Sequence, residues 1–245
     1  MRRFVLHMSL CVLAAAFVQQ WIISASAART ISWDGYRWDA RSQGLTEPGP
    51  NLWSASRANA YVDRRTGAMV LCYSRNTSGR WTSTELDGQR HLGYGSYRWR
   101  VTTDMAGEDA NEVLGLFTYD DYRPPSYNEI DIEYSHFGDL TNPLGDLTVW
   151  INQDAGVSDE SVFGYPPTAR STVNEFDWAP GRISYRITSA TTGATIRSWT
   201  ATRGVPVPHS EVPVMNWWRY GNASPTGRLG NCVRVQSFAF SPYRK

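Results

Sequence analysis

The sequence predicts an all-β protein, built as a sandwich of antiparallel sheets. No long stretch has the periodicity of an amphipathic helix. Short runs such as residues 97–101 (YRWRV) and 183–187 (ISYRI) alternate apolar with polar side chains, as half-buried strands do. Residues 113–119 are nearly all apolar or small, as in a strand buried on both faces, and turns such as Asp87-Gly88 separate the runs. Many short strands of this kind favour a sandwich over alternating strands and helices.

The amino-terminal residues predict export. Arg2 and Arg3 precede an apolar run over residues 4–18, and A-S-A follows at residues 25–27. This is the layout of a secretory signal peptide, so we expect residues 1–27 to be cleaved and the mature protein to be extracellular or periplasmic. An uncleaved membrane anchor is the alternative, but the apolar run ends short of the roughly 20 residues that a spanning helix needs.

Residues 28–245 show no internal repeat, linker or change of composition, and we expect them to form a single domain. Without Arg2 and Arg3, the 24 basic residues fall to 22 against 23 acidic ones, a net charge of −1. Such a chain has no basic run that would attract nucleic acid or an anionic membrane. We therefore expect a monomer that, after signal cleavage, binds neither of them.

Two cysteines remain once Cys11 is removed with the signal peptide. In an oxidising compartment, Cys72 and Cys232 are expected to form one disulfide. Two buried free thiols, which behave as small apolar side chains, are the alternative, because the sequence does not show that the two residues are close.

An acidic row is the most informative motif. Residues 128–135 read N-E-I-D-I-E-Y-S, so that three acids, Glu129, Asp131 and Glu133, occupy alternate positions. In a strand these acids share one face, and Ile130 and Ile132 point into the core. A solvated acidic face is the simple alternative. Against it, carboxylates about 7 Å apart repel one another and no cation stands among them, while the preceding apolar run predicts a central strand.

This row fits the chemistry of glycoside hydrolysis. At about 3.3 Å per residue, the Cα atoms of Glu129 and Glu133 lie roughly 13 Å apart. Glutamates leaning toward each other can bring their carboxyl groups within the ~5–5.5 Å that a retaining glycosidase needs. One then attacks the anomeric carbon while the other donates a proton, and Asp131 between them can orient the nucleophile. Crowded like charges also spread the pKa values, so that one acid stays protonated near neutrality.

The motif E-I-D-I-E resembles the active-site strand of glycoside hydrolase family 16, the β-glucanase type. Further blocks follow in the order of that family from about residue 81 to residue 240. Residues 93–97 (GYGSY) resemble its Y-G-x-Y strand, residues 176–183 (FDWAPGRI) its D-W-x-P-G-x-I stretch, and residues 215–218 (MNWW) its M-N-L-W strand. The resemblance implies a concanavalin-like jelly roll of two antiparallel sheets.

The resemblance also implies roles for individual residues. Glu129 would be the nucleophile, Asp131 its assisting carboxylate and Glu133 the general acid/base. The positions that would bind sugar are Glu85, Tyr119, Trp150, Asn152, Asn216 and Trp218, for each of which ordinary packing is the alternative. The regular E-x-D-x-E strand accompanies β-1,3-1,4-glucanases and xyloglucan-active enzymes, whereas a bulged version accompanies laminarinases and agarases.

Three positions depart from the family pattern and suggest a divergent branch. Asp87 stands where an Arg is common, and Thr172 where a His is common. Gln236 replaces an Asp that helps to hold a structural calcium in some members, so we predict no metal, and no cofactor is expected. These changes weaken the assignment of the substrate more than that of the mechanism.

The sequence thus predicts a secreted, endo-acting, retaining glycoside hydrolase that acts on a β-linked polysaccharide, with β-1,3-1,4-glucan favoured. A transglycosylase, in which a sugar hydroxyl replaces water, would use the same residues and remains an alternative. A non-catalytic β-sandwich that binds glycans is the alternative from another class.

Overall fold

The computed structural model describes residues 29–166, 169–225 and 230–244. The predicted signal peptide lies outside the described residues. Nearly all regular structure is β, and the runs at residues 97–101, 113–119 and 183–187 are strands, as predicted. No helix in the described ranges is long and apolar enough to cross a membrane.

In the described ranges, the strands are as follows in chain order: β1 (Arg29–Trp33), β2 (Tyr36–Ala40), β3 (Leu45–Thr46), β4 (Asn51–Leu52), β5 (Ala60–Val62), β6 (Met69–Cys72), β7 (Ser74–Arg75), β8 (Trp81–Thr82), β9 (Thr84–Gly88), β10 (Gly95–Val101), β11 (Glu112–Tyr119), β12 (Ile130–Tyr134), β13 (Gly145–Asn152), β14 (Val157–Phe163), β15 (Thr172–Ala179), β16 (Arg182–Ser189), β17 (Thr195–Ala201), β18 (Val212–Arg219) and β19 (Cys232–Pro242). Three single-turn 3-10 helices cover Met105–Gly107, Gln153–Ala155 and Tyr220–Asn222.

Two large antiparallel sheets form the sandwich, which confirms the predicted fold class. One has eight strands in the order β1-β2-β9-β18-β11-β12-β13-β14, and the other seven in the order β17-β16-β15-β10-β19-β6-β5. The strand that carries the acidic row, β12, pairs with β11 on one side and β13 on the other. It is therefore a central strand, as the apolar run before it predicted.

Aromatic side chains fill the space between the sheets. Trp38, Trp99, Trp178 and Trp217 are fully buried. An apolar side chain buried in this way stabilises the fold by on the order of 3 kcal/mol relative to an exposed one. Because this core fixes the inner faces of the strands, the alternate residues on the other face of the eight-stranded sheet are held in register.

The predicted disulfide between Cys72 and Cys232 is present. The two residues face each other across the antiparallel pair β6 and β19, with their Cα atoms 4.1 Å apart. The bond joins positions that are 160 residues apart in the chain. The alternative of two free thiols is therefore excluded in this structure.

Candidate active site

The acidic row lies on the floor of a cleft on the outer face of the eight-stranded sheet. Ile130 and Ile132 are completely buried in the core, so Glu129, Asp131 and Glu133 point to the opposite face. The cleft has a volume of about 810 Å³. Other side chains that line it come from neighbouring strands and loops, among them Arg41, Glu85, Asp87, Phe117, Tyr119, Asp121, Phe137, Trp150, Gln153, Asn216, Trp218 and Tyr220.

Two residues with a left-handed backbone conformation directly precede Glu129 and direct its side chain into the cleft. Tyr127 and Asn128, immediately before it, have φ values of 53° and 49°, which non-glycine residues adopt at a cost of roughly 1–2 kcal/mol each. Packing compensates this cost, because the Tyr127 ring stacks on Tyr119 with centroids 5.3 Å apart. The Asn128 side chain donates to the carbonyl of Val207 at 2.9 Å. The segment is thus held from two sides.

The strand pairing extends to Glu129. The backbone carbonyl of Glu129 accepts from the N–H of Trp150 at 3.1 Å, one position before the first residue of β12. Trp150 is therefore the neighbour of Glu129 on the cleft face. Asp131 has Phe117 opposite it on one side and Thr148 on the other. Each carboxyl group of the row consequently has fixed neighbours across the sheet.

A hydrogen-bonded chain of polar residues crosses the floor of the cleft. Arg41 Nη1 donates to Glu85 Oε1 at 2.6 Å, and Asn216 Nδ2 donates to Glu85 Oε2 at 3.2 Å. Asn216 Oδ1 accepts from the backbone N–H of Gly115 at 3.1 Å, and Gly115 lies opposite Glu133. A Cβ atom at Gly115 would lie 2.4 Å from that oxygen, so only glycine allows this approach.

The two glutamates have different partners. Gln153 Nε2 donates a hydrogen bond to Glu129 Oε2. Glu133 instead faces Asp146, its register partner on β13. Burial raises the pKa of both glutamates to about 8. At Glu129, hydrogen bonding to Gln153 and Asp131 opposes this rise and the charge of Glu85 adds to it. At Glu133, by contrast, the charges of Asp146 and Glu129 add to it and no hydrogen bond from the described residues opposes it. The contacts therefore favour a carboxylate at Glu129 and a protonated carboxyl at Glu133.

Asp131 is the most enclosed of the three acids. It is 2% exposed. Burial raises its pKa well above the usual range, and the charges of Glu129 and Glu133 raise it further. An Asp that keeps its proton beside a carboxylate can donate a hydrogen bond to it, which is the chemistry expected of a residue that orients the nucleophile.

The structure brings together five of the six residues that the sequence suggested for sugar binding. Glu85, Tyr119, Trp150, Asn216 and Trp218 line the cleft. Trp218 is also packed from below, because it is 7% exposed and clusters with Trp53 and Val113.

Asn152 is not brought to the cleft. Its side-chain oxygen accepts from the N–H of Ala155 at 3.1 Å and caps a 3-10 turn. The physical reason is an irregularity in the pairing of β13 with β14 between Trp150 and Asn152, which breaks the alternation that placed Asn152 beside Trp150. The chain then turns, and Gln153 occupies the cleft instead.

Sequence reasoning missed Arg41, Gln153 and Asp146. Arg41 follows β2 and reaches Glu85, which is 44 positions further along the chain. It provides the cation next to Glu85, whereas Asp87 stands at the position where family 16 commonly has an Arg. No local motif marks Arg41 or Gln153. The signal that could have found Asp146 is the alternation of Asp146, Thr148 and Trp150 on the strand after the acidic row.

Among the described residues, no group of three or more His, Cys, Asp or Glu side chains is arranged to hold a metal ion. Gln236, at the position where some members of family 16 have a calcium-binding Asp, donates from Nε2 to the carbonyl of Thr66 at 2.9 Å. Its amide is therefore engaged with the backbone.

No protein-family model and no curated protein matches the sequence. The structure is similar to the β-glucanase of Bacillus licheniformis, with a TM-score of 0.61 and 19% identity, covering 84% of this chain and 92% of that one. A prokaryotic β-1,3-1,4-glucanase (lichenase) from a mouse hindgut metagenome gives a TM-score of 0.62 at 18% identity, over 86% and 96% of the two chains.

A third similar structure is SCLam, a non-specific endo-β-1,3(4)-glucanase from glycoside hydrolase family 16. A mutant of that enzyme presents 1,3-β-D-cellobiosyl-glucose at its active site; it gives a TM-score of 0.63 at 15% identity, over 85% of this chain and 87% of that one. At these identities the likeness establishes the fold. The chain resembles glycoside hydrolase family 16 in being a β-glucanase-type jelly roll, as the sequence motifs predicted.

Proposed function

We propose that this chain is a secreted, endo-acting glycoside hydrolase that cleaves a β-linked polysaccharide, of the β-1,3-1,4-glucan type, with retention of configuration. One observation carries the proposal. Glu129 and Glu133 stand four positions apart on the floor of the cleft; Glu129 receives an N–H donor and Glu133 faces a like charge. A nucleophile and a proton donor need this asymmetry.

The proposed reaction has two displacements. In the first, a carboxylate oxygen of Glu129 attacks the anomeric carbon, and the bond to the leaving oxygen breaks as Glu133 gives that oxygen its proton. A covalent glycosyl–enzyme results. In the second, Glu133, now ionised, takes a proton from water, whose oxygen attacks the anomeric carbon and releases Glu129. Both residues return to their starting protonation states, and two inversions give net retention.

The rest of the cleft suits a neutral sugar chain. The rings of Tyr119 and Trp150 offer apolar faces on which pyranose rings can pack. Glu85 and Asn216 provide an acceptor and a donor for sugar hydroxyl groups, and both are buried in the hydrogen-bonded chain across the floor. These side chains would hold the substrate while Glu129 and Glu133 act on one bond.

The extent of the cleft supports internal cleavage. Its lining residues run from Arg41 next to β2, through β9, β18, β11 and β12, to Trp150 on β13. Six neighbouring strands about 4.8 Å apart span roughly 24 Å, which accommodates several sugar rings in a row. The similar solved structures are β-glucanases, which favours a β-glucan as the substrate, and the amino-terminal motif favours secretion.

The test is a reducing-sugar assay on lichenan, laminarin, xyloglucan, agarose and carrageenan. We expect the highest rate on lichenan and a rapid fall in viscosity, because internal bonds are cut. Proton NMR of the fresh products should show the β-anomer first. Products that appear first as the α-anomer would exclude double displacement.

The same assay separates the alternatives. Chromatography of the products gives the second comparison: transfer to a low concentration of added oligosaccharide, with little net release of reducing ends, would identify a transglycosylase. Binding to lichenan without any release of reducing ends would identify a glycan-binding sandwich and overturn the proposal.

A further inference from the structure

Gln153 is placed by the same irregularity that removes Asn152 from the cleft. The pairing of β13 shifts after Trp150, and the chain turns through Gln153–Ala155. The backbone N–H of Gln153 donates to the carbonyl of Pro125 at 2.8 Å, which ties the turn to the loop that precedes Glu129. With its backbone fixed in this way, the side-chain amide donates to Glu129 Oε2.

Asp146 stands at the other end of the row. It is the register partner of Glu133, and directly opposed residues of an antiparallel pair have Cβ atoms about 5 Å apart on the same face. Burial raises the pKa of Asp146, and the hydrogen bond that Thr148 Oγ1 donates to Asp146 Oδ1 at 3.1 Å acts in the opposite direction by favouring the ionised form. A carboxylate held there opposes ionisation of Glu133.

Every side of Glu133 presents either an acid or a neutral group in the described part of the chain. Its own strand segment carries Glu129 and Asp131, β13 carries Asp146, and the turn before β11 carries Glu108. The pairing strand β11 places Gly115 opposite it, and beyond that lies Asn216. The cleft cation, Arg41, is paired with Glu85.

We propose that Gln153 and Asp146 are positioning residues that assign the two catalytic roles, Gln153 by holding Glu129 as the carboxylate and Asp146 by keeping Glu133 protonated. This inference rests on the proposed function and deepens it, because it explains how two buried glutamates so close in the chain acquire different protonation states and therefore different roles. Gln153 acts through its hydrogen bond to Glu129 Oε2 and Asp146 acts through its charge opposite Glu133; neither forms a bond to the sugar or transfers a proton to it.

The first test measures ionisation directly and needs no substrate. The protein is labelled with [δ-¹³C]glutamate, and the Glu129 and Glu133 signals are assigned from Glu129→Gln and Glu133→Gln. In Asp146→Asn we expect the titration midpoint of Glu133 to fall by about one pH unit. In Gln153→Leu the midpoint of Glu129 should rise by a similar amount. Asp177→Asn, an exposed neutralisation on β15, is the matched control and should move neither signal.

Midpoints that stay within about 0.2 units in both variants would overturn the inference. So would a shift of the same glutamate in both, because the two residues would then not act at opposite ends. Chemical denaturation of each variant shows whether the fold is kept. If Asp146→Asn fails to fold, Asp146→Ser replaces it, with the same shift expected.

The second test uses pH profiles of kcat/KM on lichenan. Asp146→Asn should move the alkaline limb of the profile to lower pH, and Gln153→Leu should move the acid limb to higher pH. Each variant should therefore narrow the bell-shaped profile on one side only. On a dinitrophenyl β-oligoglucoside, whose leaving group needs no proton, Asp146→Asn should keep a near wild-type rate for the first displacement. Asp146→Glu should restore the alkaline limb.

These outcomes separate the two levels of the proposal. A wild-type protein that cleaves no glucan, but whose glutamates titrate as described, would refute the proposed function alone. An active wild-type protein whose limbs do not move in either variant would refute only the roles of Gln153 and Asp146.

Discussion

Strands β10 and β12 follow the same sequence rule and serve different purposes. Each alternates apolar residues with charges of one sign: Arg98 and Arg100 on β10, and Asp131 and Glu133 on β12, with Glu129 directly before it. Arg98 has 57% of its side chain exposed and lies 3.5 Å from Glu175. Asp131 is buried, and its flanking glutamates line the cleft.

The neighbouring strand makes the difference. Opposite Arg98, β15 places Glu175, a charge of opposite sign. Opposite Glu133, β13 places Asp146, a charge of the same sign. Cross-strand pairs of opposite charge are an ordinary stabilising feature of sheets, whereas like charges face to face destabilise them. Alternating charge therefore indicates function where the neighbouring strand fails to neutralise it.

The comparison is tested most severely by removing one charge from each strand. Glu129→Gln should lower kcat on lichenan by at least about 10⁴-fold, because the proposed nucleophile loses its charge while its side chain keeps nearly the same shape. Arg98→Gln should change kcat by less than about twofold, because it alters an exposed side chain on the other sheet. Circular dichroism confirms that both variants fold.

Rescue by azide tests which of the two glutamates is the nucleophile. With a dinitrophenyl glycoside, Glu129→Ala should be rescued by azide and yield an α-glycosyl azide, because azide enters from the vacated side. A β-glycosyl azide from this variant would show that Glu129 is the acid/base and that the two roles are reversed.

The two ion pairs provide a second contrast. Arg41 and Glu85 approach to 2.6 Å with only 19% and 9% of their side chains exposed. Arg41→Gln should lower the free energy of unfolding by about 2–3 kcal/mol in urea, because Glu85 is left buried without its cation. The double variant Arg41→Gln/Glu85→Gln should recover part of this loss. A loss below about 1 kcal/mol in the single variant would mean that this ion pair contributes no more to stability than a solvent-exposed ion pair does.

Dependence of stability on pH is the third contrast. Burial, together with the charges of Asp146 and Glu129, raises the pKa of Glu133 from 4.5 to about 8, so the folded protein keeps a proton there that the unfolded chain has released. The stability that this bound proton contributes is complete below pH ~4.5 and is lost as pH rises toward ~8. Glu133→Gln should therefore flatten the decline and raise Tm at pH 8 by about 3 °C or more.

Differential scanning fluorimetry from pH 5 to pH 8.5 measures this slope. Arg98→Gln is the control and should leave it unchanged. A Tm for Glu133→Gln that is lower than wild type at pH 8 would show that the acidic row carries no electrostatic cost in the folded state.

The smallest effect is expected on the outer face of the seven-stranded sheet. Glu175 bonds Arg186 at 3.1 Å and also approaches Arg98, but 61% and 57% of those Arg side chains are exposed. Glu175→Gln should lower the free energy of unfolding by less than about 1 kcal/mol, and the difference should shrink in 1 M NaCl. A larger loss of unfolding free energy that does not depend on salt would contradict the view that the charges on β10 are only weakly coupled surface charges.

The sequence was sufficient for the fold class and for the common face of Glu129, Asp131 and Glu133, because period-two patterning is local. It favoured the disulfide only because two cysteines remained after the signal peptide, and the pairing of β6 with β19 decided the question. Sequence reasoning placed Asn152 in the cleft, whereas an irregularity in the strand pairing, invisible in the residue types, leads Asn152 to cap a 3-10 turn instead. It also missed Arg41, whose bond to Glu85 exists only once β2 and β9 are adjacent. Pairings between distant strands are tertiary facts, and a single sequence does not encode them in any local pattern.

The bond between Cys72 and Cys232 turns most of the molecule into a covalent ring. Glu85, Glu129, Glu133, Gln153 and Trp218 all lie within it, whereas Arg41 lies on the amino-terminal side outside. A protease that cuts one loop of the ring leaves two fragments that still migrate together on a gel without reductant. A single proteolytic cut within the ring would then open the chain without separating the parts of the cleft that lie in it.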